Sequence, residues 1–343
     1  FISFMSGGEW LYFSFNADYD LFSVGTTKGF IIYNSNPVEE RFQVLFDKGI
    51  GIVEVLKKTN IVALVGGGRE PAFPKQKVIL WDDATASNIA EIEFPSYVRG
   101  LKIQLDRLFV ATADNIYIFD TKNMSLVKKF QTFPNGGGVC CLRGTARQTL
   151  SFASPGDSKG YVNLEKYDRE ANRMVEFRAH EAALRCMCFS PDGRFIATTS
   201  DTGTIVRIFD ASPESVGKQL FEFRRGSDPA DIYSMCFSPN GQFLLVNSDK
   251  FDAHVFCLDR MELNKTSSLN SFGFGLGSYL SSVWSAVSFE LPKTTSKVAF
   301  VSDSEIVAIS QGKAYYRFTL SVTSSGVTIT KHGYKLLDQD PIA

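Results

Sequence analysis

A thirteen-residue near-repeat inside one chain constrains the fold more than any single motif does. Phe189-Ser-Pro-Asp-Gly-Arg-Phe-Ile-Ala-Thr-Thr-Ser-Asp201 returns 48 residues on as Phe237-Ser-Pro-Asn-Gly-Gln-Phe-Leu-Leu-Val-Asn-Ser-Asp249, and a fainter copy stands at Phe13-Ser-Phe-Asn-Ala-Asp18. Each copy reads as strand, tight turn, strand, because Pro-Asp-Gly and Pro-Asn-Gly supply hairpin residues between apolar runs. The strand that closes such a hairpin recurs seven times, at residues 30–33, 77–81, 115–119, 160–164, 206–209, 254–257 and 314–318. Intervals of mostly about 40 to 50 residues match one four-stranded propeller blade each. The expected fold is all-β: a single seven-bladed β-propeller over residues 1–343, built of WD40-like four-stranded blades. The last interval is longer, which places an insertion at about residues 259–283, in blade six. Two tandem β-sandwiches would fit the length but not the regular spacing. No helix-period stretch is long enough for parallel βαβ units.

Composition narrows the class. With 343 residues, 44% hydrophobic and 13% aromatic, the chain can bury a large core, which excludes a disordered or fibrous protein. Its apolar runs are strand-sized, far short of the roughly 20 residues that cross a bilayer. The start, Phe1 to Gly8, lacks the basic and apolar pattern of a secretion signal, so the expected location is cytoplasmic. A formal net charge of −1 argues against a surface that attracts nucleic acid as a whole, so any anion site must be a local patch. Cys140, Cys141, Cys186, Cys188, Cys236 and Cys257 lie in or beside apolar segments, at neither staple nor metal spacings, and read as reduced thiols. Cys186 and Cys188 near His180 hint at a metal, but a fourth ligand is missing and core packing is the better reading; no metal or other cofactor is expected.

A catalytic reading lacks parts. The sequence has no Gly-x-Ser-x-Gly elbow, no phosphate loop ending in Gly-Lys-Ser/Thr and no His-Glu-x-x-His pair. The runs at residues 66–68 and 136–138 are followed by no helix and serve as backbone flexibility. The expected protein is not an enzyme.

One dipeptide stands apart. Arg224 and Arg225 end the segment expected to be the outer strand of blade five. Successive side chains on a strand point to opposite faces, so the two arginines should address the clefts on either side of it. Guanidinium forks make paired, charge-assisted bonds to phosphate, which suggests two anion sites. The plain alternative is a solvated pair, or one salt-bridged to Asp228 or Asp231.

Here the chain resembles the PROPPINs, β-propellers that bind polyphosphoinositides and are called WIPI proteins in animals. The resemblance is carried by Phe223-Arg-Arg-Gly226, by the block from Ala179-His-Glu181 through Ala197-Thr-Thr-Ser-Asp-Thr-Gly-Thr-Ile-Val-Arg-Ile-Phe209 to Ser248-Asp-Lys250 and His254-Val-Phe256, and by Asn60-Ile-Val-Ala-Leu-Val-Gly-Gly-Gly68 followed by Lys77-Val-Ile-Leu-Trp-Asp82. It covers essentially the whole chain and looks most like the fungal Hsv-type branch. It implies binding of phosphatidylinositol 3-phosphate and phosphatidylinositol 3,5-bisphosphate at two rim sites. The first would use Arg224 with His180, Ser200, Thr204 and Arg207; the second would use Arg225 with Ser248, Lys250 and His254. Arginine and lysine neutralise phosphate, hydroxyls donate to it, and a histidine beside it can protonate and add a donor. One departure matters: Phe251-Asp252 stands where the family has Gly-Thr, and a carboxylate there repels phosphate or must turn outward. The structural alternatives are a WD-type hydrogen-bond network for His180 and a salt bridge from Arg207 to Glu222, while His332 reads as surface.

The insertion carries Ser271-Phe-Gly-Phe-Gly-Leu-Gly-Ser-Tyr-Leu280 and Val283-Trp284. A buried loop of this composition has few partners for its backbone, so exposure is expected. In the family this loop touches or enters the bilayer, and the resemblance assigns that role to Phe272, Phe274, Leu276, Tyr279, Leu280 and Trp284; the alternative is a loop folded over the propeller's own side. The expected protein is a monomer in solution that attaches peripherally to vacuolar, endosomal and pre-autophagosomal membranes, with autophagy or trafficking proteins as partners and no nucleic acid. The rival class is a WD-repeat scaffold for proteins, without lipid binding.

Overall fold

The computed structural model describes residues 8–56, 59–104, 106–144, 150–167, 172–266, 282–324 and 326–337. It is an all-β, seven-bladed propeller of antiparallel sheets whose four strands follow one another in sequence. All seven expected closing strands are present as the third strand of a blade: Gly29–Ser35, Lys77–Asp82, Asn115–Asp120, Tyr161–Tyr167, Ile205–Asp210, Asp252–Cys257 and Ala314–Thr323. Among the described residues the one helical turn is a 3-10 segment, Met261–Leu263.

The repeated motif folds alike in both copies. Ser190 Oγ donates to Asp192 Oδ1 at 2.6 Å and accepts from Phe195 N–H at 2.9 Å. Ser238 Oγ does the same with Asn240 at 2.6 Å and Phe243 at 3.0 Å. Gly193 and Gly241 then take φ of 69° and 72°, the left-handed region in which glycine has no Cβ to clash. Burial follows strand position. The second strand of blade one, Leu21–Thr26, is buried throughout, whereas its outer strand, Val38–Leu45, alternates between half-buried and exposed residues. A sheet covered on both faces needs apolar side chains on both; an edge strand needs them on one.

The chain divides into two compact units, residues 1–140 with 311–315 and 335–343, and residues 141–310 with 316–334. In the first, Phe22 stacks on Tyr33 at 4.8 Å and the Tyr315 hydroxyl donates to the Ser35 carbonyl. The same unit buries an ion pair: Glu54, 4% exposed, accepts from Lys102 Nζ and, at 3.2 Å, from the Tyr12 hydroxyl. In the second, Phe223 and Phe256, both fully buried, stack at 4.9 Å within an apolar cluster that includes Val206, Ile208, Met235 and Leu244. The six cysteines are free thiols, and burial drives the Cys188 thiol well above its ordinary range. Every described side chain of the two expected anion sites belongs to the second unit.

Blades five and six depart from the four-strand rule in a way the repeat does not announce. The fourth strand of blade six, Val287–Glu290, arrives only after the insertion. Just before it, Val283–Trp284 pairs in parallel with the outer strand of blade five, placing Val283 beside Phe223 and Trp284 beside Arg224.

Candidate functional site

The outer strand of blade five, Gln219–Arg224, sorts its side chains by alternation. Its register places Ile205 opposite Arg224, Val206 opposite Phe223 and Arg207 opposite Glu222. Side chains directly opposite one another share a face, so Arg207, Glu222 and Arg224 lie on one face and Val206 and Phe223 on the other. Phe223 packs on Phe256 of blade six. The next residue after Arg224 therefore turns toward blade six, and Arg224 turns away from it.

Of the first group, His180, Ser200 and Arg207 lie on the Arg224 face, while Thr204 stands opposite Arg225. His180 is 4% exposed and its Nε2 lies 2.9 Å from Thr198 Oγ1, with Thr198 paired to Arg207 across the sheet. Arg207 donates from Nη1 to the Ala179 carbonyl at 2.7 Å and from Nε to Glu222 Oε2 at 2.8 Å. Burial, and then the Arg207 charge, push the His180 pKa down to about 4. The imidazole is thus neutral near pH 7, because an apolar surround and a neighbouring cation both penalise its charged form. Ser200 is buried with its Oγ 2.8 Å from Thr202 Oγ1, and Thr204 contributes its carbonyl to the Arg225 N–H at 2.9 Å. The salt bridge weighed for Arg207 is formed, and the histidine does sit in a WD-type hydroxyl network.

Arg224 is held from a direction that the sequence did not reveal. Its Nε donates to Ser282 Oγ at 3.0 Å, and its guanidinium carbon lies 6.0 Å from the centre of the Trp284 ring, a cation–π approach. The base of the insertion is closed by a bridge between Thr266 and Val283 and by Trp284 N–H donating to the Lys265 carbonyl at 2.7 Å. Trp284, expected among the membrane-facing residues, is a half-buried residue of the added strand. Phe272, Phe274, Leu276, Tyr279 and Leu280 lie outside the described residues.

The second group occupies the cleft between blades five and six. Arg225, 4% exposed, donates from Nε to the Gly203 carbonyl at 2.8 Å and from Nη2 to the Asp228 carbonyl at 2.6 Å. Gly203 is irreplaceable in that turn: its φ is +62°, and a Cβ would stand 1.9 Å from the Ala230 carbonyl oxygen. On the facing wall, Ser248, Asp252 and His254 share one face of blade six. Asp252 takes a hydrogen bond from Ser248 Oγ at 3.0 Å and another from His254 Nε2 at 3.1 Å, and His254 Nδ1 meets Ser285 Oγ at 3.0 Å. Burial alone would raise the Asp252 pKa, but the bonds from His254 and Ser248 and the nearby Arg225 outweigh it and lower it. The carboxylate points inward, not outward as a phosphate site would require. Lys250 is exposed, and its N–H donates to Ser248 Oγ at 3.2 Å. The order carboxylate, imidazole, hydroxyl is that of a hydrolytic triad, yet Ser285 is 7% exposed and offers no approach to a substrate carbonyl.

Alternation separates Arg224 from Arg225: the first bonds Ser282 and lies by the Trp284 ring, and the second bonds the Gly203 and Asp228 carbonyls. Residues 10–319 match the family profile described as PROPPIN. The chain belongs to the PROPPIN family. Its relatives include an SVP1-like protein 2 of Neurospora crassa, 38% identical over 248 residues, an alignment covering 72% of this chain but only 56% of that protein. They also include an autophagy-related protein 18 of Yarrowia lipolytica, 30% identical over 389 residues, covering 95% of this chain and 96% of that one. Among solved structures, Kluyveromyces lactis Hsv2 superimposes with a TM-score of 0.78 over 96% of this chain and 99% of its own, at 24% identity, a likeness of fold. The chain carries its Arg-Arg pair at the end of a blade's outer strand, with one arginine half-buried and the other buried.

Proposed function

We propose that this PROPPIN is a peripheral membrane protein, not an enzyme, that recognises phosphatidylinositol 3-phosphate and phosphatidylinositol 3,5-bisphosphate through the two clefts flanking Arg224 and Arg225. The observation that carries the reading is the separation of the pair: consecutive arginines on opposite faces of one outer strand, one bonded to Ser282 and the other to backbone carbonyls within reach of the Asp252 charge. A guanidinium in a partly dry cleft binds a phosphate more strongly than one in water, and a fixed backbone removes much of the ordering cost. At the first site, Arg224, Arg207, Ser200 and Thr204 would supply donors, with His180 as a neutral one. At the second, Arg225, Lys250, Ser248 and His254 would do so. The apolar insertion would add hydrocarbon contact, and joining modest sites on one rigid body multiplies their affinities. A family whose relatives bear autophagy names supports action in autophagy and in endosomal and vacuolar traffic, at pre-autophagosomal and related membranes, with proteins of those routes as partners.

Flotation with liposomes that contain or lack phosphatidylinositol 3-phosphate tests the reading. Binding should require the lipid, and the double substitution Arg224→Thr with Arg225→Thr should abolish it while the far-ultraviolet circular dichroism is unchanged. Binding retained by that variant, or equal binding without the lipid, refutes it in favour of a protein scaffold.

A further inference from the structure

Blades five and six are near-repeats, so each cleft can be compared with its copy. Ser200 and Ser248 hold matching positions, opposite Leu184 and Ile232, and Arg207 matches His254 one strand on. Gly203 matches Phe251: their φ values are 62° and 60°. A phenylalanine there is strained, since only glycine enters the left-handed region without cost, and such strain persists where the surroundings impose it. The turn in blade six is one residue shorter, and it is Asp252 that follows. Blade five offers Thr204 and Ile205 at that place, so it has no counterpart to the carboxylate.

The carboxylate does what a bound anion would do. Its two oxygens take the Ser248 hydroxyl and the His254 ring, and its charge faces Arg225, two of whose five donors are already spent on backbone carbonyls. Asp249 and Asp228 also act on Arg225, so the cleft sets Arg225 and Lys250 against three carboxylates.

We propose that Asp252 is a built-in substitute for the phosphate of a ligand, which closes the blade-six cleft to headgroups and leaves the Arg224 face as the one working anion site of this chain. The proposal rests on the headgroup reading above and narrows it from two clefts to the Arg224 cleft alone. A phosphate entering the closed cleft must displace Asp252 from Ser248 and His254 and then sit beside it. Like charges brought together in a partly desolvated site repel, so binding there is weaker by about a hundredfold or more.

The test is calorimetric titration of the purified protein with inositol 1,3-bisphosphate, the soluble headgroup of phosphatidylinositol 3-phosphate. The parent should take up one equivalent, and Arg224→Thr should lose it. Asp252→Thr, made with Phe251→Gly to relieve the turn, should take up two. Combined with Arg224→Thr, it should bind one equivalent that Arg224→Thr alone does not. Asp252→Asn keeps the side-chain shape without the charge and should also gain the second equivalent, which guards against a misfolded Thr variant. Two equivalents of similar affinity in the parent, or a single equivalent in both Asp252 variants when they are folded, overturns the proposal while the headgroup reading stands. No uptake by any of the proteins overturns the headgroup reading, and this proposal with it.

Discussion

His180 makes stability depend on pH in a way that can be worked out and measured. Its pKa falls from the ordinary 6.5 to about 4 in the fold, because the ring is buried and faces Arg207. The unfolded chain therefore binds a proton through the range in which the folded ring stays neutral. Stability from this group is fully present above the unfolded value of about 6.5 and is lost as pH falls toward 4. From pH 7 to pH 5 the linkage relation gives a loss of about 2 kcal/mol, and at roughly 1.4 kcal/mol per decade that is more than a tenfold change in the folding constant. The perturbation is His180→Gln, whose side-chain amide can still reach Thr198 but does not titrate. Urea unfolding at pH 7 and pH 5 should show the parent losing about 2 kcal/mol more than the variant over that interval. The comparison cancels the other titrating groups, which are common to both proteins. An equal loss in parent and variant would show that the ring protonates in the folded state near its ordinary value, and the neutral His180 of the first cleft would have to be abandoned.

Three further sets of substitutions test Glu54, the insertion and the ring beside Arg224. Lys102→Met leaves Glu54 charged and buried, still bonded by the Tyr12 hydroxyl but without its cation, which should cost about 3 to 5 kcal/mol in urea unfolding, whereas Lys102→Met with Glu54→Gln should cost clearly less than the sum of the singles. Changing Phe272, Phe274 and Leu276 to Ser should weaken liposome flotation and leave calorimetric affinity for the soluble headgroup unchanged, since a headgroup presents no hydrocarbon; added salt should weaken the phosphate contacts and spare the apolar ones. Trp284→Ala should differ from that loop variant: losing the ring over Arg224 removes about 0.5 to 1 kcal/mol of cation–π contact, so headgroup affinity should shift as well.

The parts legible in the sequence are those governed by local periodicity. Seven closing strands, the Ser-Pro-Asp-Gly turns and the opposed facing of Arg224 and Arg225 all follow from alternation and turn chemistry within a few residues. What escaped depends on chain far away. Ser282 reaches Arg224 across 58 residues, and no pattern near Phe223 announces that a strand from beyond the insertion pairs there. Trp284 looked like an interfacial aromatic because its composition matched its loop neighbours; its half-burial comes from a parallel bridge that composition does not encode. The charge of Asp252 was visible, but its direction was not: that is set by the left-handed turn at Phe251, a conformation the residue type itself argues against. His180 was readable as either ligand or network, and only its burial decides its charge state.

The insertion's returning limb ties these features together. Within five residues, Ser282 bonds Arg224, Trp284 covers it, Ser285 bonds His254, and Ala286 N–H donates to the Val255 carbonyl at 2.9 Å. A loop that touches a membrane from a free hinge would sample a wide volume, and its contribution to avidity would fall steeply with that freedom. Here the limb is anchored one hydrogen bond from each arginine cleft's polar residues, so the root of the insertion is fixed relative to both. If the clefts and the insertion bind as proposed, contacts made from such a frame act at nearly the effective concentration of a rigid body. Moving the limb would also loosen Arg224 and His254, which makes the position of the insertion and the geometry of the clefts a single variable in this fold.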